Sequence, residues 1–382
     1  MRKAWLLAAA LLCTSPAAAQ VPIDPARAEA LRKAGAEVLF WSQEQKDRNF
    51  RAMEQTFPTV TVKAGAKVRA LEAGSPLSLP TAEVDRFMAS NHTAGLLVLK
   101  DGKVRLERYA RGFRPDQRWI SFSVAKSMTS ILFGAAVKDG KLKLSDPVTR
   151  FVPELKGSGY DGVTVEQVLT MSSGVRWNED YTDPNSDVAR MFSLATPAGE
   201  DVTAHYLKRL PRAAPPGSRF NYNTGETNLA GTILVRAAGK PINDYASERL
   251  WQPYGMEADA AWQVDEKGAP IAGCCISMRL RDYGRMGQLM LDGGAGLLAD
   301  GWTAQSSTIQ QPFQAPGRGY GYFWWIEPSG YRASGIFGQQ IWIEPKRRLV
   351  VVTLSAWPRA LDEKLSAERT AFFKRIAAAS DR

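Results

Sequence analysis

From Gly95 the chain reads Gly-Leu-Leu-Val-Leu-Lys, then Asp101-Gly102, then Lys103-Val-Arg-Leu-Glu-Arg-Tyr109. Two strand-like runs joined by Asp-Gly predict an antiparallel hairpin, because that pair tolerates the left-handed dihedrals of a two-residue turn. Strand patterns return at Tyr320 to Ile326, Gln340 to Ile343 and Leu349 to Leu354, separated by Pro328-Ser329-Gly330 and Pro345-Lys346. An amphipathic helix is expected from Asp362 to Ala378, and another over 25–37. In between, Val124, Met128, Ile131, Leu132 and Ala135 recur at helical spacing, as do Val165, Val168 and Leu169, and Leu229, Ile233 and Leu234. The stretch from about 126 to 290 therefore predicts an all-helical lobe. Strands at both ends are buried most economically in one antiparallel sheet, so the expected class is α+β. The sheet is flanked by the terminal helices, with the helical lobe inserted and the functional site where the two lobes meet.

No repeat, linker or low-complexity tract divides the chain. One continuous unit is expected over 85–382, after an N-terminal extension at 20–84. At 382 residues and 45% hydrophobic there is ample material for a core. The start, Met-Arg-Lys followed by an apolar run from Ala4 to Leu12 and then Ala17-Ala18-Ala19, has the layout of a cleavable signal peptide over 1–19. Cys13 to Pro16 interrupt the run before the roughly 18 apolar residues that an anchor needs, and Leu12 stands where lipid attachment at Cys13 would want a small residue. The expectation is an exported, periplasmic or secreted protein without a membrane span in its mature chain. The net charge of +10, less the two from Arg2 and Lys3, is scattered among acidic residues, so a nucleic-acid partner is not expected. Cys274 and Cys275 are neighbours. A disulfide between them closes a strained eight-membered ring, so two buried thiols are expected.

The candidate chemistry starts from an absence. There are only two histidines, His92 and His205, and neither adjoins a nucleophile motif; there is no Gly-x-Ser-x-Gly elbow and no His-Glu-x-x-His. A serine hydroxyl still needs a base, and a lysine serves if its pKa is lowered. Ser123-Val124-Ala125-Lys126 sets the two side chains on one helical face. The spacing arises roughly once by chance in a chain like this, and a capping serine beside a solvated lysine is the plainer alternative. In favour of chemistry, the motif follows an extended stretch and opens an apolar helix, whose N-terminus supplies free N–H groups and a positive dipole end.

With these residues the chain resembles the serine beta-lactamase-like hydrolases: class C beta-lactamases, DD-peptidases, related esterases and 6-aminohexanoate-dimer hydrolase. The resemblance covers about 85–355 and carries three motifs in family order. After Ser123-x-x-Lys126 comes Phe220-Asn221-Tyr222-Asn223-Thr224, similar to the family's Tyr-x-Asn with Thr224 for Asn. The third is Ala333-Ser334-Gly335, in place of Lys-Thr-Gly or His-x-Gly. The resemblance implies a nucleophile at Ser123, a base shared by Lys126 and Tyr222, an oxyanion hole from the N–H groups of Ser123 and Ile336, and close substrate approach at Gly335. Within the 6-aminohexanoate-dimer hydrolase branch it maps a substrate-holding tyrosine to Tyr181, for which a surface aromatic is the alternative. Val168 to Gly174 and Arg281-Asp282-Tyr283 resemble structural family elements, and Ser186-Asp187 is a false match to Ser-Asp-Asn. No metal or cofactor is implied. With Ala333 in the cationic position, uncharged small-molecule esters or linear amides are expected before beta-lactams or DD-peptides. A non-catalytic binding domain on the same fold would be expected to lack Ser123, Lys126 or Tyr222, and all three are present.

Overall fold

The computed structural model describes residues 25–381; the expected signal segment lies outside them. The first helix, α1, runs Pro25–Glu37, and strand β1 follows at Thr59–Val62. Helix α2 (Thr81–Ser90) leads into the hairpin β2 (Thr93–Lys100) and β3 (Lys103–Tyr109). Its turn is the expected one, with Asp101 at φ 52° and Gly102 at φ 76°. Next come β4 (Trp119–Ile120), α3 (Val124–Lys138), α4 (Thr224–Ala238), β5 (Ala260–Gln263), β6 (Ile276–Met278) and α5 (Leu280–Leu291). The chain closes with β7 (Gln311–Pro312), β8 (Gly319–Tyr320), β9 (Trp325–Glu327), β10 (Gly330–Gly335), β11 (Gln339–Glu344), β12 (Leu349–Ser355) and α6 (Glu363–Ser380).

The main sheet has the order β3-β2-β12-β11-β10-β9-β8-β7 and is antiparallel throughout. It joins the N-terminal hairpin to the C-terminal strands through β2 and β12, as the pattern predicts. Strand β2 is buried on both faces because alternate residues meet different layers. Leu96 and Val98 face Val84, Phe87, Phe372 and Ile376 of the terminal helices, while Leu97 and Leu99 belong to the central core. Phe87 and Phe372 stack at 3.9 Å between α2 and α6. On the inner face α5 lies close to the sheet at two glycines: a Cβ on Gly284 would sit 2.5 Å from Leu97, and one on Gly287 2.5 Å from Val350.

The inserted lobe differs from the all-helical expectation, because β5 and β6 lie within it. They form a second sheet of order β1-β5-β6-β4. Thr59–Val62 pairs with Ala260–Gln263 in antiparallel register, so the N-terminal extension is built into the same fold. Strands of two to four residues are too short to show a period, and their partners lie far away in sequence. The run expected at Tyr320 to Ile326 is also interrupted, with Phe323 at φ 59° between β8 and β9. Among the described residues no helix is long and apolar enough to cross a membrane.

Candidate active site

Ser123 sits where β4 turns into α3. The turn is tied to β6 by the Ser121 N–H, which donates to the Ile276 carbonyl at 2.9 Å, and by the Ile276 N–H, which donates to Ser121 Oγ at 3.1 Å. Phe122, just before Ser123, is held at φ 43°, a costly conformation for a bulky side chain that persists only where packing imposes it. Its ring packs against Phe50 at 5.0 Å and Phe337 at 5.2 Å, and Phe50 and Phe337 meet at 5.3 Å. Phe337 is itself at φ 60°. Three buried rings thus hold two left-handed turns, one immediately before Ser123 and one immediately after Ile336, and the N-terminal extension supplies the third ring.

Gly335 ends β10 directly behind this turn. A Cβ there would lie 2.6 Å from the Ser121 carbonyl oxygen and 3.0 Å from the Ser123 nitrogen. The space is therefore taken by the 121–123 turn, and the glycine lets the strand approach the Ser123 amide. Ser123 and Ile336 both line one cavity of about 260 Å³, which brings the two candidate oxyanion donors to the same opening. Gly335→Ala is expected to lower kcat/KM at least tenfold and to lower the melting temperature. Parental values of both would refute the close-approach argument.

The Ser123 side chain makes no capping bond to the helix it precedes. Instead, Lys126 Nζ donates to Ser123 Oγ at 3.1 Å and to the Gly273 carbonyl at 2.6 Å. Gly273 is fixed in turn by donating its N–H to Asn228 Oδ1 at 2.8 Å. Burial brings the Lys126 pKa down from 10.5 to about 8, against an opposing pull from Glu179. The capping alternative is not the arrangement observed. The lysine ammonium lies 5.3 Å from the centroid of the Tyr222 ring, which stacks on Trp325 at 5.4 Å. Burial, then Glu179, push the Tyr222 phenol well above its usual pKa, while the Ser123 side chain beside it pulls the other way. Tyr222 thus holds its proton at neutral pH, and Lys126 is the group poised to take one.

Tyr222 is placed by Met171, within the Val168 to Gly174 element. Met171 accepts the Asn221 N–H on its carbonyl at 2.8 Å and the Asn223 N–H on its Sδ at 3.5 Å. Glu179, which the motifs did not single out, gathers the remaining polar groups. It accepts from the Thr224 N–H at 3.0 Å, the Tyr181 hydroxyl at 2.8 Å, the Thr224 hydroxyl and the Trp177 indole N–H. Thr224, in the position of the family's amide, is therefore engaged by Glu179, and Tyr181 lines the cavity beside Ser123. A carboxylate raises the pKa of a neighbouring ammonium, so Glu179→Gln should let Lys126 fall further below about 8. The acid limb of kcat/KM for a nitrophenyl ester is expected to move to lower pH in this variant. An unmoved limb, or one displaced upward, would contradict the coupling.

A family model described as Beta-lactamase matches residues 81–372. The chain belongs to this family of serine hydrolases. It is 32% identical over 297 residues to the 6-aminohexanoate-dimer hydrolase of Paenarthrobacter ureafaciens, covering 72% of this chain and 76% of that one. Among solved structures it is similar to a Bacillus anthracis protein assigned as a 6-aminohexanoate-dimer hydrolase. That match has a TM-score of 0.76 and 23% identity, over 87% of this chain and 93% of the other. It is also similar to EstCE1, a hydrolase with promiscuous acyltransferase activity, with a TM-score of 0.62 and 15% identity over 78% and 97% of the two chains. The protein is thus a hydrolase of the serine beta-lactamase type on the fold its sequence predicts.

Other features of this Beta-lactamase-family chain fall outside the constellation or alter its expected surroundings. Neither histidine lines the cavity; His205 pairs with Glu200 at 2.6 Å. Ser186 caps a short helix, and Asp187 accepts the Asn178 N–H and the Tyr206 hydroxyl, both at 2.7 Å, so they brace the Tyr181 loop. Asp282 accepts the Glu257 N–H at 2.7 Å and is structural. The two expected thiols are a correction: Cys274 and Cys275 form a disulfide. Its small ring closes with Cys275 in the left-handed region at φ 78°, a conformation that composition does not reveal. A second correction concerns charge on β10. Arg332, one residue before Ala333, stands 5.2 Å from the Trp325 ring that stacks on Tyr222, and it pairs at 3.0 Å with Glu327, which it shares with Arg318.

Proposed function

We propose that the protein cleaves a carboxylic ester or linear amide through an acyl-enzyme on Ser123. The observation that carries this reading is the buried Lys126 ammonium, 3.1 Å from Ser123 Oγ and with its pKa brought down to about 8. Deprotonated Lys126 accepts the hydroxyl proton as Oγ attacks the carbonyl carbon. The N–H groups of Ser123 and Ile336 receive the developing oxyanion, at a turn whose backbone is already held. When the intermediate collapses, the bond to the leaving oxygen or nitrogen breaks, and that atom takes a proton through Tyr222, which Lys126 resupplies. Water then attacks the acyl carbon with Lys126 again as base, which releases the acid and restores Ser123. Tyr181, beside Ser123, supports the scissile group. The 6-aminohexanoate-dimer hydrolase relative supports the linear-amide form of this reading. The reading includes export through residues 1–19.

A carboxylate-bearing substrate such as a beta-lactam is the second reading, and Arg332 near the Tyr222 stack is the observation that favours it. Glu327 pairs with both Arg332 and Arg318 and so offsets only part of this charge; the 6-aminohexanoate-dimer hydrolase relative is what ranks this reading lower. A panel of nitrophenyl butyrate, a linear aminohexanoate dimer and nitrocefin tests the order. The ester or the amide should exceed nitrocefin at least tenfold in kcat/KM; nitrocefin in first place would reverse the ranking. A fluorophosphonate adduct mapped by mass spectrometry to a residue other than Ser123 would end the proposal.

A further inference from the structure

The cavity that opens at Ser123 extends well beyond the reacting groups. Its walls come from three parts of the chain. The N-terminal extension contributes Val38, Leu39, Phe40, Met53 and Phe57, the loop after Tyr181 contributes Val188 and Phe192, and the 263–275 segment contributes Ile271 and the Cys274–Cys275 disulfide. Phe40 is 66% exposed and gives the rim an apolar surface as well.

Of the charged residues on the lining, Arg32 and Glu266 pair with each other, while Asp265 and Asp183 meet only N–H donors. Glu266 pairs with Arg32 and accepts the Thr196 N–H at 2.7 Å, which fastens α1 and the loop around Thr196 over the cavity. Asp265 accepts the N–H groups of Lys267 and Ala269 at 2.8 and 3.0 Å, and burial raises its pKa to about 7. Asp183 accepts the Asn185 N–H at 2.8 Å and the Asn178 amide at 3.5 Å.

We infer that this cavity binds an unbranched aliphatic chain attached to the scissile carbonyl, so that the enzyme selects acyl groups of medium length. The inference rests on Ser123 being the acylated residue. The chain is assigned to the acyl side because Ser123 and Ile336 line the cavity, whereas Tyr222, which would protonate the leaving group, packs under Trp325 and Tyr320 instead.

The test uses the full enzyme with nitrophenyl acetate, butyrate, hexanoate and octanoate. Alongside these runs a parallel series of acetate esters with lengthening alcohols. Burial of each added methylene should raise kcat/KM about two- to fourfold in the acyl series, with little gain in the alcohol series. Phe192→Asp should flatten the acyl series, and the wild-type series decides the matter even if that variant does not fold. A flat acyl series or a rising alcohol series would overturn the inference while leaving acyl-enzyme chemistry on Ser123 standing. Absence of turnover on every ester would remove the underlying reading and the inference together.

Discussion

Ser123→Ala is expected to reduce turnover of a nitrophenyl ester at least a thousandfold, in line with the loss of a nucleophile in other serine hydrolases. The fold should survive. Ser123 makes no capping bond to α3, so the usual cost of removing an N-cap hydroxyl does not arise. Lys126, which donates to Ser123 Oγ, keeps its 2.6 Å bond to the Gly273 carbonyl. Circular dichroism and the melting temperature should therefore match the parent while the acyl-enzyme disappears from the mass spectrum. Undiminished turnover would remove Ser123 from the mechanism.

Replacing Lys126, the proposed base, should cost nearly as much without unfolding the protein. Lys126→Met preserves length and apolar stem, and is expected to lower kcat/KM by about 10²- to 10⁴-fold. The parental acid limb near pH 8 should vanish with it. Its effect on stability has a definite sign. The unfolded chain keeps the lysine proton up to about pH 10.5, while the folded chain releases it near 8. The unfolded state therefore binds more protons between those values, and parental stability rises with pH across that window. Below pH 8 the folded state carries a desolvated ammonium at a cost of about 3 kcal/mol, from the shift of 10.5 to about 8. The variant removes that cost but leaves the Gly273 carbonyl short of a donor, which costs about 1 to 3 kcal/mol. The two effects nearly offset, so the melting temperature at pH 7 should stay within a few degrees of the parent. Relative to the parent it should fall as the pH climbs toward 10. A large loss of stability at pH 7 would show that Lys126 is a structural ion, and unchanged catalysis would exclude it as base.

Other parts of the site show why the sequence reading stopped where it did. Glu179 was passed over because its importance comes from where its carboxylate points, toward Thr224 and Tyr181, across a separation of 45 residues in the first case. A single sequence contains no marker for such a meeting. Arg332 was passed over for a related reason: the motif directed attention to position 333, and the guanidinium arrives from the neighbouring residue. The Cys274–Cys275 disulfide depends on a left-handed backbone at Cys275, which neither residue type demands.

Local patterns by themselves determined the Asp101-Gly102 hairpin, the long terminal helix and the Ser123 to Lys126 spacing, since each depends on residues close enough in sequence to constrain one another's dihedrals. Family order, once recognised, added Tyr222 and Gly335. Only the tertiary structure decided that Lys126 is buried against Gly273, that Gly335 admits the Ser123 turn, and that the N-terminal extension supplies Phe50 and a cavity wall. These outcomes depend on desolvation and on close packing between distant segments. Both are properties of the assembled core, and neither can be read from a stretch of chain before it is buried.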